Sequence, residues 1–496
     1  MTTETPANPG YPRPNPSLSF WLQGTRSSPL IGHRTTPTLP GPEDVQDVVI
    51  VGGGFSGVAT AYFLLTGKNP PARVALLEAR EVCDGATGRN GGHCRPAFAR
   101  YKKYKAGFGK EQAVKVIANE FETMRLVWEI VKKEKIDCDF YPMSTYGALY
   151  LSLLHAVFTG KHSDIMETTS AATTYGEVYD ELVADGGVVD GIETFRTPEA
   201  AQAETGIANA VAAYKWPAYT LWPYKLVAHL AQIALEKGLN LQTTTPVRSV
   251  TQPAGDAQAS DCRWAVHTDR GVVKARKVVY ATNAYTATLL PELGGPIYPL
   301  KGHAVALVPT KGYAGASNRV QQSYNSARSF HSHSLFIDGS GDYFMQRPKD
   351  GIFIVGDGRE SVNNDDLLRT TDDGTVLPVA VNALKARVRD AFGEARWGKE
   401  ALGEGLLVAW SGIMGKSADL VPYVGPLNDK PNAFVCAGHN GHGMARIMTC
   451  ARGIAAMLQG ATYAETGLPE CFLPTKERLE KHAYAPPAEG GRCVCC

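Results

Sequence analysis

The stretch that most constrains the fold is an apolar run followed by closely spaced glycines. Val48 to Val51 form the apolar run, which is typical of a strand buried on both faces of a parallel sheet. Gly52, Gly54 and Gly57 follow it, and the next residues can form a helix to about Thr66. A strand, a glycine turn and a helix N-terminus in this order form a binding site for a pyrophosphate.

Each glycine of this turn has a predicted role. Gly52 allows the tight turn, Gly54 lets a pyrophosphate approach the backbone, and Gly57 lets the helix pack closely on the sheet. The helix begins with Phe55 and Ser56, so its first N–H groups and its positive dipole end face the phosphates. The alternative is an ordinary strand–turn–helix without a ligand, which the surrounding pattern disfavours.

An acidic residue completes the pattern. Glu78 ends a second apolar strand, 21 residues after Gly57, and Ala79 follows it. A carboxylate at this point can accept hydrogen bonds from an adenosine ribose, whereas it would repel the 2′-phosphate of NADP. The pattern predicts a dinucleotide site but does not separate NAD from FAD.

Further motifs identify a family. Residues 85–93 read Gly-Ala-Thr-Gly-Arg-Asn-Gly-Gly-His, and similar family motifs recur at 221–224, 278–284 and 438–444. Together they resemble the D-amino acid oxidase-like superfamily of FAD-dependent oxidoreductases, which includes sarcosine, glycine and γ-glutamylputrescine oxidases. The run at 85–93 is most similar to the γ-glutamylputrescine oxidase-like branch. The resemblance covers about residues 45 to 465.

The resemblance implies an α/β fold, with a discontinuous Rossmann-like FAD-binding domain and an interleaved substrate domain on a mixed or antiparallel sheet. A chain of 496 residues is too long for one simple core. The expected division is an extended N-terminal arm at 1–44, which Phe20, Trp21 and Leu22 could anchor, and a C-terminal tail at 466–496. The FAD-binding domain comprises 45–100, 211–294 and 405–465, and the substrate domain comprises 101–210 and 295–404.

The cofactor implied by the resemblance is FAD. Expected contacts, besides the first loop and Glu78, are Arg89, Asn90, Gly91, Gly92, Val247, Thr282, Gly441, His442, Gly443 and Met444. The last group precedes a predicted helix, so its N–H groups and dipole could stabilise negative charge on the flavin pyrimidine ring. An unliganded turn, or a metal site on His439 and His442, is the alternative; we predict no metal.

Four residues are candidates on the substrate side. His93 and Arg95 follow the second glycine loop; Arg95 could bind a substrate carboxylate or flavin oxygens. His93 could face the flavin, be linked to it covalently, or be an ordinary loop histidine. Lys301 and Tyr343 lie in strands expected to line this side, although Lys301 could equally be a surface charge. The resemblance places the cysteine of flavin-linked relatives in the segment matching Trp410 to Lys416; this segment contains no cysteine, so no cysteinyl flavin link is expected.

Composition restricts the partners. The net charge of +1 gives no electrostatic case for nucleic acid or an anionic membrane. There is no apolar run long enough to span a bilayer and no signal-peptide pattern, so a cytoplasmic protein is expected. Cys493, Cys495 and Cys496 resemble a prenylation site, and palmitoylation or an unmodified thiol tail are the alternatives. Membrane contact is expected only if these cysteines are lipidated. The other cysteines occur singly and are expected to be free thiols.

The expected activity is oxidation of a C–N bond in an amine or amino acid. Hydride passes to FAD and then to O₂, which yields H₂O₂. Two alternatives stay open: a dehydrogenase that passes electrons to a quinone or a protein, and a non-catalytic flavin-bearing scaffold or sensor.

Overall fold

The computed structural model describes residues 8–140, 161–253, 262–313, 332–337 and 340–483. The segment Thr145 to Leu154, whose sequence predicts a strand, lies outside these residues, and so do the three C-terminal cysteines. Within the described part, no helix is both long and apolar enough to cross a membrane.

The first sheet is mainly parallel and has the predicted nucleotide-binding strand at its centre. Gln46–Val51 pairs in parallel with Gly271–Tyr280 on one side and with Val74–Leu77 on the other. Val49 and Ile50 are fully buried, as a strand covered on both faces requires. In spatial order the strands are Tyr423–Pro426, Ala433–Ala437, Gly271–Tyr280, Gln46–Val51, Val74–Leu77 and Asn240–Gln242, with Trp264–Thr268 and Val247–Thr251 added beside Gly271–Tyr280.

Three helices cover one face of this sheet. Phe55–Thr66 has the predicted bounds, and it packs against Pro223–Glu236 and Ile447–Leu458 in one apolar core. The apolar spacing from Lys110 to Lys133 predicts an amphipathic helix. The observed helix, Tyr101–Lys133, contains this stretch and begins earlier, with Gly109 at φ +80° forming a kink inside it. The other described helices are Phe20–Gln23, Thr169–Ala184, Pro198–Thr205, Thr286–Leu289, Pro378–Phe392, Glu394–Trp397 and Lys476–His482.

The second sheet is mixed and mostly antiparallel, as predicted. Only the pairing of Ser332–Ile337 with Lys161–Met166 is parallel among its described strands. In spatial order the strands are Gly405–Ser417, Ile297–Val308, Phe353–Asp357, Ser340–Gln346, Ser332–Ile337, Lys161–Met166, Ala212–Pro217 and Glu193–Phe195. A small separate ribbon joins His93–Cys94 to Tyr219–Thr220.

Sheet membership differs from the predicted segments at two points. Ala212–Pro217 and Gly405–Ser417 pair within the second sheet, although both were assigned to the FAD-binding segments. In addition, the sequence from Leu239 to Val250 predicts one strand, whereas the structure has two, Asn240–Gln242 and Val247–Thr251. Thr244 lies between them at φ +47°, a conformation that ends an extended strand.

The first part of the chain, residues 8–44, forms the N-terminal arm. Its short helix buries Phe20, Trp21 and Leu22, the three predicted anchors. The Trp21 indole N–H donates to the Asn90 carbonyl oxygen at 2.6 Å. The arm is therefore attached directly to the second glycine-rich loop.

Candidate active site

A long cavity runs from the carboxyl ends of the first sheet to the second sheet. Its walls include Val51 and Leu77 from the first sheet and Gly302 and Met414 from the second. Most of the predicted site residues line it: Gly52, Gly54, Phe55, Ser56, Glu78, Ala79, Arg89, Asn90, Gly91, His93, Arg95, Val247, Thr282, Tyr343, Gly441, His442, Gly443 and Met444. Gly57, Gly92 and Lys301 do not line it.

The first glycine loop has a separate physical reason at each position. Gly52 has φ +111°, and a Cβ there would lie 2.6 Å from the Ala281 carbonyl oxygen. A Cβ on Gly57 would overlap the Gly52 carbonyl oxygen, so this glycine serves helix–strand packing. Gly54 has ordinary backbone angles, and its Cβ would meet only the Thr87 hydroxyl oxygen at 3.3 Å. A side chain at Gly54 would therefore be compatible with the folded protein. It would, however, take up space in the cavity that Gly54 faces.

Glu78 is held by the same loop. Its carboxylate accepts hydrogen bonds from the backbone N–H of Gly53 at 2.6 Å and of Arg80 at 2.7 Å. Each of the two oxygens accepts one of these bonds, so each retains capacity for a ligand hydroxyl. Burial raises the pKa of Glu78 above its usual value, although the backbone N–H groups oppose this.

The guanidinium of Arg89 is hydrogen-bonded to protein groups around the second glycine loop. It donates to the side chain of Asp84 at 3.0 Å and to the carbonyl oxygens of Ser17 at 2.6 Å and Ser411 at 3.0 Å. Because these bonds occupy the guanidinium, a contact between Arg89 and the cofactor would have to come from the rest of the residue. Gly92 serves packing too, since it has φ +75° and its Cβ would lie 2.7 Å from the Leu221 carbonyl oxygen.

His93 and Tyr343 form an aromatic corner at the second-sheet end of the cavity. Their rings meet edge to face with centroids 5.4 Å apart. Gly91 and Gly356 leave the space that the Tyr343 ring occupies, because a Cβ on either glycine would overlap it. The tyrosine is therefore fixed in position by two glycines on different segments.

Arg95 lies two residues after His93 in the chain, and it is 6% exposed. One guanidinium nitrogen lies 3.6 Å from a carboxylate oxygen of Asp164, a fully buried residue that also accepts a hydrogen bond from the Tyr175 hydroxyl. The guanidinium also lies 6.0 Å from the centre of the Trp216 ring. Arg95 thus has a structural partner as well as a position on the cavity wall.

The expectation for Lys301 is wrong in both forms. It neither lines the cavity nor lies on the surface, since it is 2% exposed and its ammonium binds Thr375 at 2.7 Å and Asp372 at 3.4 Å. Its neighbours Gly302 and His303 line the cavity instead. Burial and the charge of Lys301 lower the pKa of His303 to about 4, so this imidazole is neutral at pH 7.

The third glycine loop differs in detail from the prediction. Its backbone forms a tight turn at Gly443–Ala445, and the α-helix begins only at Ile447. The His442 N–H donates to the His439 carbonyl oxygen at 2.9 Å, so it is used within the turn. Gly441 has φ +70°, a conformation that glycine adopts without strain.

A buried carboxylate, that of Glu120, lies against this loop. Glu120 is fully buried, accepts two hydrogen bonds from Arg446 at 2.9 and 2.8 Å, and accepts the Ala97 N–H at 2.8 Å. Burial opposes its ionisation, but the charge of Arg446 prevails and lowers the pKa of Glu120 to about 2. His442 Nε2 lies 3.7 Å from the same carboxylate, and burial lowers the pKa of His442 to about 4.

His439 is a cavity residue that the sequence analysis did not select. Its Nε2 lies 3.2 Å from the Ser56 hydroxyl oxygen, and burial lowers its pKa to about 3. His439 and His442 therefore have different partners, and no cluster of three potential metal ligands occurs among the described residues. Other cavity residues that were not predicted include Tyr11, Pro12, Thr288, Leu289, His303, Asp357, Gly412 and Ile413.

Comparison with known proteins gives the family. A sequence model described as FAD dependent oxidoreductase matches residues 47–457. The chain belongs to this family. It is an FAD-dependent oxidoreductase, and the predicted cofactor and fold class are confirmed.

Individual relatives agree with this assignment. A probable oxidoreductase, OrdL, of Rhizobium meliloti (strain 1021) is 23% identical over 474 residues, which cover 93% of this chain and 91% of the relative. The gamma-glutamylputrescine oxidoreductase of Escherichia coli (strain K12) is 32% identical over 108 residues, 22% of this chain and 24% of the relative.

Solved structures share the fold at low sequence identity. The glycine oxidase of Geobacillus kaustophilus superposes with a TM-score of 0.62 at 19% identity, covering 87% of this chain and 98% of that one. The L-proline dehydrogenase of P. horikoshii gives a TM-score of 0.64 at 20% identity, covering 89% and 99%. These likenesses concern the fold alone.

The cavity fits the FAD of this family. The open space in front of Gly54 suits a pyrophosphate, and the remaining lone pairs of Glu78 suit a ribose. Both lie on one continuous cavity with His93 and Tyr343.

Proposed function

We propose that the protein oxidises the C–N bond of an amine or amino acid and that O₂ is the final electron acceptor. The balanced reaction converts the amine, O₂ and water to a carbonyl compound, the released amine or ammonia, and H₂O₂. Bound FAD would accept the hydride from the carbon next to nitrogen. The names of the similar proteins, a glycine oxidase and a gamma-glutamylputrescine oxidoreductase, support an amino substrate.

The observation that carries the proposal is the continuity of the cavity. The dinucleotide loops and the corner formed by His93 and Tyr343 line the same space, so a substrate at that corner would lie beside a cofactor held by those loops. We propose that the residues lining the loops hold FAD and that His93, Arg95 and Tyr343 contact the substrate. The FAD-binding and substrate domains would meet along this cavity.

The buried histidines of the cavity are compatible with a neutral amine. His303, His439 and His442 line the cavity, and burial lowers each pKa to about 4 or below. These imidazoles are therefore uncharged near pH 7, so they provide no counter-charge for an ammonium ion. An amine that enters would lose its proton to water, which leaves the nitrogen lone pair available to stabilise the electron-deficient carbon as hydride departs.

The substrate contacts follow from the side chains at the corner. The edge-to-face pair of His93 and Tyr343 would form an aromatic wall beside the reacting carbon. Arg95 is the group suited to a substrate carboxylate, in exchange for part of its interaction with Asp164.

Oxygen consumption tests this proposal. A panel of amines and amino acids is added to the purified holoprotein in air, and O₂ uptake, H₂O₂ and carbonyl product are measured together. The expected result is equal amounts of all three for at least one substrate. Substrate oxidation that requires an artificial electron acceptor and consumes no O₂ would instead show a dehydrogenase.

A further inference from the structure

The N-terminal arm contributes two residues to the cavity. Tyr11 and Pro12 line the same space as Glu78, Val247 and Leu289. This is the end where the sequence predicts the adenosine part of the cofactor. The arm is therefore positioned beside the cofactor, outside the strand–turn–helix unit that defines the family's nucleotide site.

Several hydrogen bonds fix the arm to the first-sheet side of the cavity. The Tyr11 hydroxyl donates to the Arg248 carbonyl oxygen at 2.9 Å. The Thr288 hydroxyl donates to the Gly10 carbonyl oxygen at 2.6 Å. Arg80 donates to the Arg13 carbonyl oxygen at 3.0 Å.

The following residues fix the arm to the second-sheet side. The Ser17 N–H donates to the Asp373 carbonyl oxygen at 2.7 Å, and the Ser17 hydroxyl accepts the Ser411 N–H at 3.0 Å. Ser411 belongs to the strand Gly405–Ser417 of the second sheet. The arm thus bridges both walls, and the bridge includes the two cavity-lining residues.

The environment of Tyr11 suits a flat ligand. The Arg248 guanidinium lies 4.6 Å from the centre of the tyrosine ring. The residue is nevertheless 36% exposed and lines the cavity, so part of its surface is open to a ligand. Aromatic rings gain free energy by contact with other rings, and every purine presents such a surface.

We propose that Tyr11 and Pro12 form the wall that contacts the AMP half of FAD, and that the arm must detach before the cofactor leaves. The arm is then part of the cofactor site. This assignment depends on the FAD family and not on the identity of the substrate or of the electron acceptor.

Cofactor release tests the assignment without any turnover. The holoprotein is diluted, and the recovery of flavin fluorescence gives the rate and extent of FAD dissociation. Tyr11→Ala should weaken FAD binding about tenfold, as expected for the loss of an aromatic contact. Tyr11→Phe keeps the ring and should lie between the wild type and Tyr11→Ala.

Two comparisons locate the effect. ADP competes for the AMP part of the site, so Tyr11→Ala should weaken ADP competition by the same factor and leave riboflavin binding unchanged. Arg34→Ala changes another arm residue, which binds Thr244 at 2.9 Å and does not line the cavity, and it should leave FAD binding unchanged.

Hydrogen exchange tests the requirement for detachment. The Ser17 N–H of the arm donates to the Asp373 carbonyl oxygen, and saturating FAD should slow its exchange at least several-fold. FAD binding by Tyr11→Ala within twofold of the wild type would overturn the assignment, as would equal losses in Tyr11→Ala and Arg34→Ala. A Ser17 N–H exchange rate that does not depend on FAD would overturn the detachment step.

Discussion

His442 Nε2 lies 3.7 Å from the carboxylate of Glu120, a residue 322 positions earlier in the chain that has no exposed surface. Glu120 also binds Arg446 and the Ala97 N–H. One buried carboxylate therefore joins the long helix Tyr101–Lys133 to both loops that flank the second-sheet end of the cavity.

The first prediction concerns this carboxylate. Glu120→Gln removes the negative charge and leaves Arg446 buried without a counter-ion, so the free energy of unfolding should fall by roughly 3 to 5 kcal/mol. Glu122→Gln is the matched control on the same helix, because Glu122 pairs with the partly exposed Arg125 and should cost less than about 1 kcal/mol. Urea denaturation of both variants measures the difference, and equal losses would contradict the account.

The second prediction separates the roles of two glycines. Gly54→Val should give a folded protein that retains no FAD, because the side chain fills cavity space and meets only Thr87. Gly57→Val should instead prevent folding, since its Cβ overlaps the Gly52 carbonyl oxygen. Circular dichroism and the flavin content after purification distinguish these outcomes.

A control and a milder variant complete that experiment. Gly107→Val lies on an exposed helix position with nothing within 4 Å, so it should keep both fold and flavin. Glu78→Ala should weaken FAD retention less than Gly54→Val, because it removes one ribose contact without blocking the site. A fully flavinated Gly54→Val protein would show that the pyrophosphate lies elsewhere.

The third prediction concerns acid. His303, His439 and His442 have folded pKa values of about 4, 3 and 4, below their usual value of 6.5. Because the unfolded state binds protons more readily, the stability that these neutral imidazoles contribute is fully present above pH 6.5. It should decrease as the pH falls toward 4, by about 1.4 kcal/mol per pH unit for each histidine.

Denaturation at a series of pH values measures this slope. His439→Gln should reduce this slope by about 1.4 kcal/mol per pH unit, the contribution of one proton. His229→Gln changes a histidine that lines no part of the cavity and serves as the control. Stability that is independent of pH between 6.5 and 4 would mean that these histidines are not buried in neutral form.

The fourth prediction concerns Arg95 and substrate class. Arg95→Gln should raise KM for amino acids about 10- to 100-fold, the effect of losing a charge-assisted hydrogen bond. KM for an amine without a carboxylate should change little. Arg196→Gln, which alters an arginine paired with the exposed Asp180, is the matched control. An equal rise in KM for both substrate classes would exclude Arg95 as the carboxylate contact.

Local patterns were sufficient to predict part of the structure. The first strand and the helix Phe55–Thr66 were predicted correctly because an apolar run and a glycine turn encode them within about twenty residues. The apolar run from Val278 to Tyr280 also predicts a buried strand of the first sheet, and it forms the end of Gly271–Tyr280 beside the first strand. Most of the residues expected from the family resemblance line one cavity.

The failures depend on distant partners. The side chain of Lys301 binds residues more than 70 positions away, which no local pattern reveals. The third glycine loop was expected to lead directly into a helix, but the Arg446 N–H donates to the Gly443 carbonyl oxygen and forms a tight turn first. Tyr11 lies in a segment without periodicity, so only the fold brings it to the cavity.

The most direct test of the central claim is the flavin spectrum of the holoprotein under anaerobic conditions. We expect a yellow protein with FAD that bleaches when a suitable amine or amino acid is added, and that regains its colour with release of H₂O₂ when air is admitted. A flavin that no amine or amino acid bleaches, or that only NADH bleaches, would contradict the account.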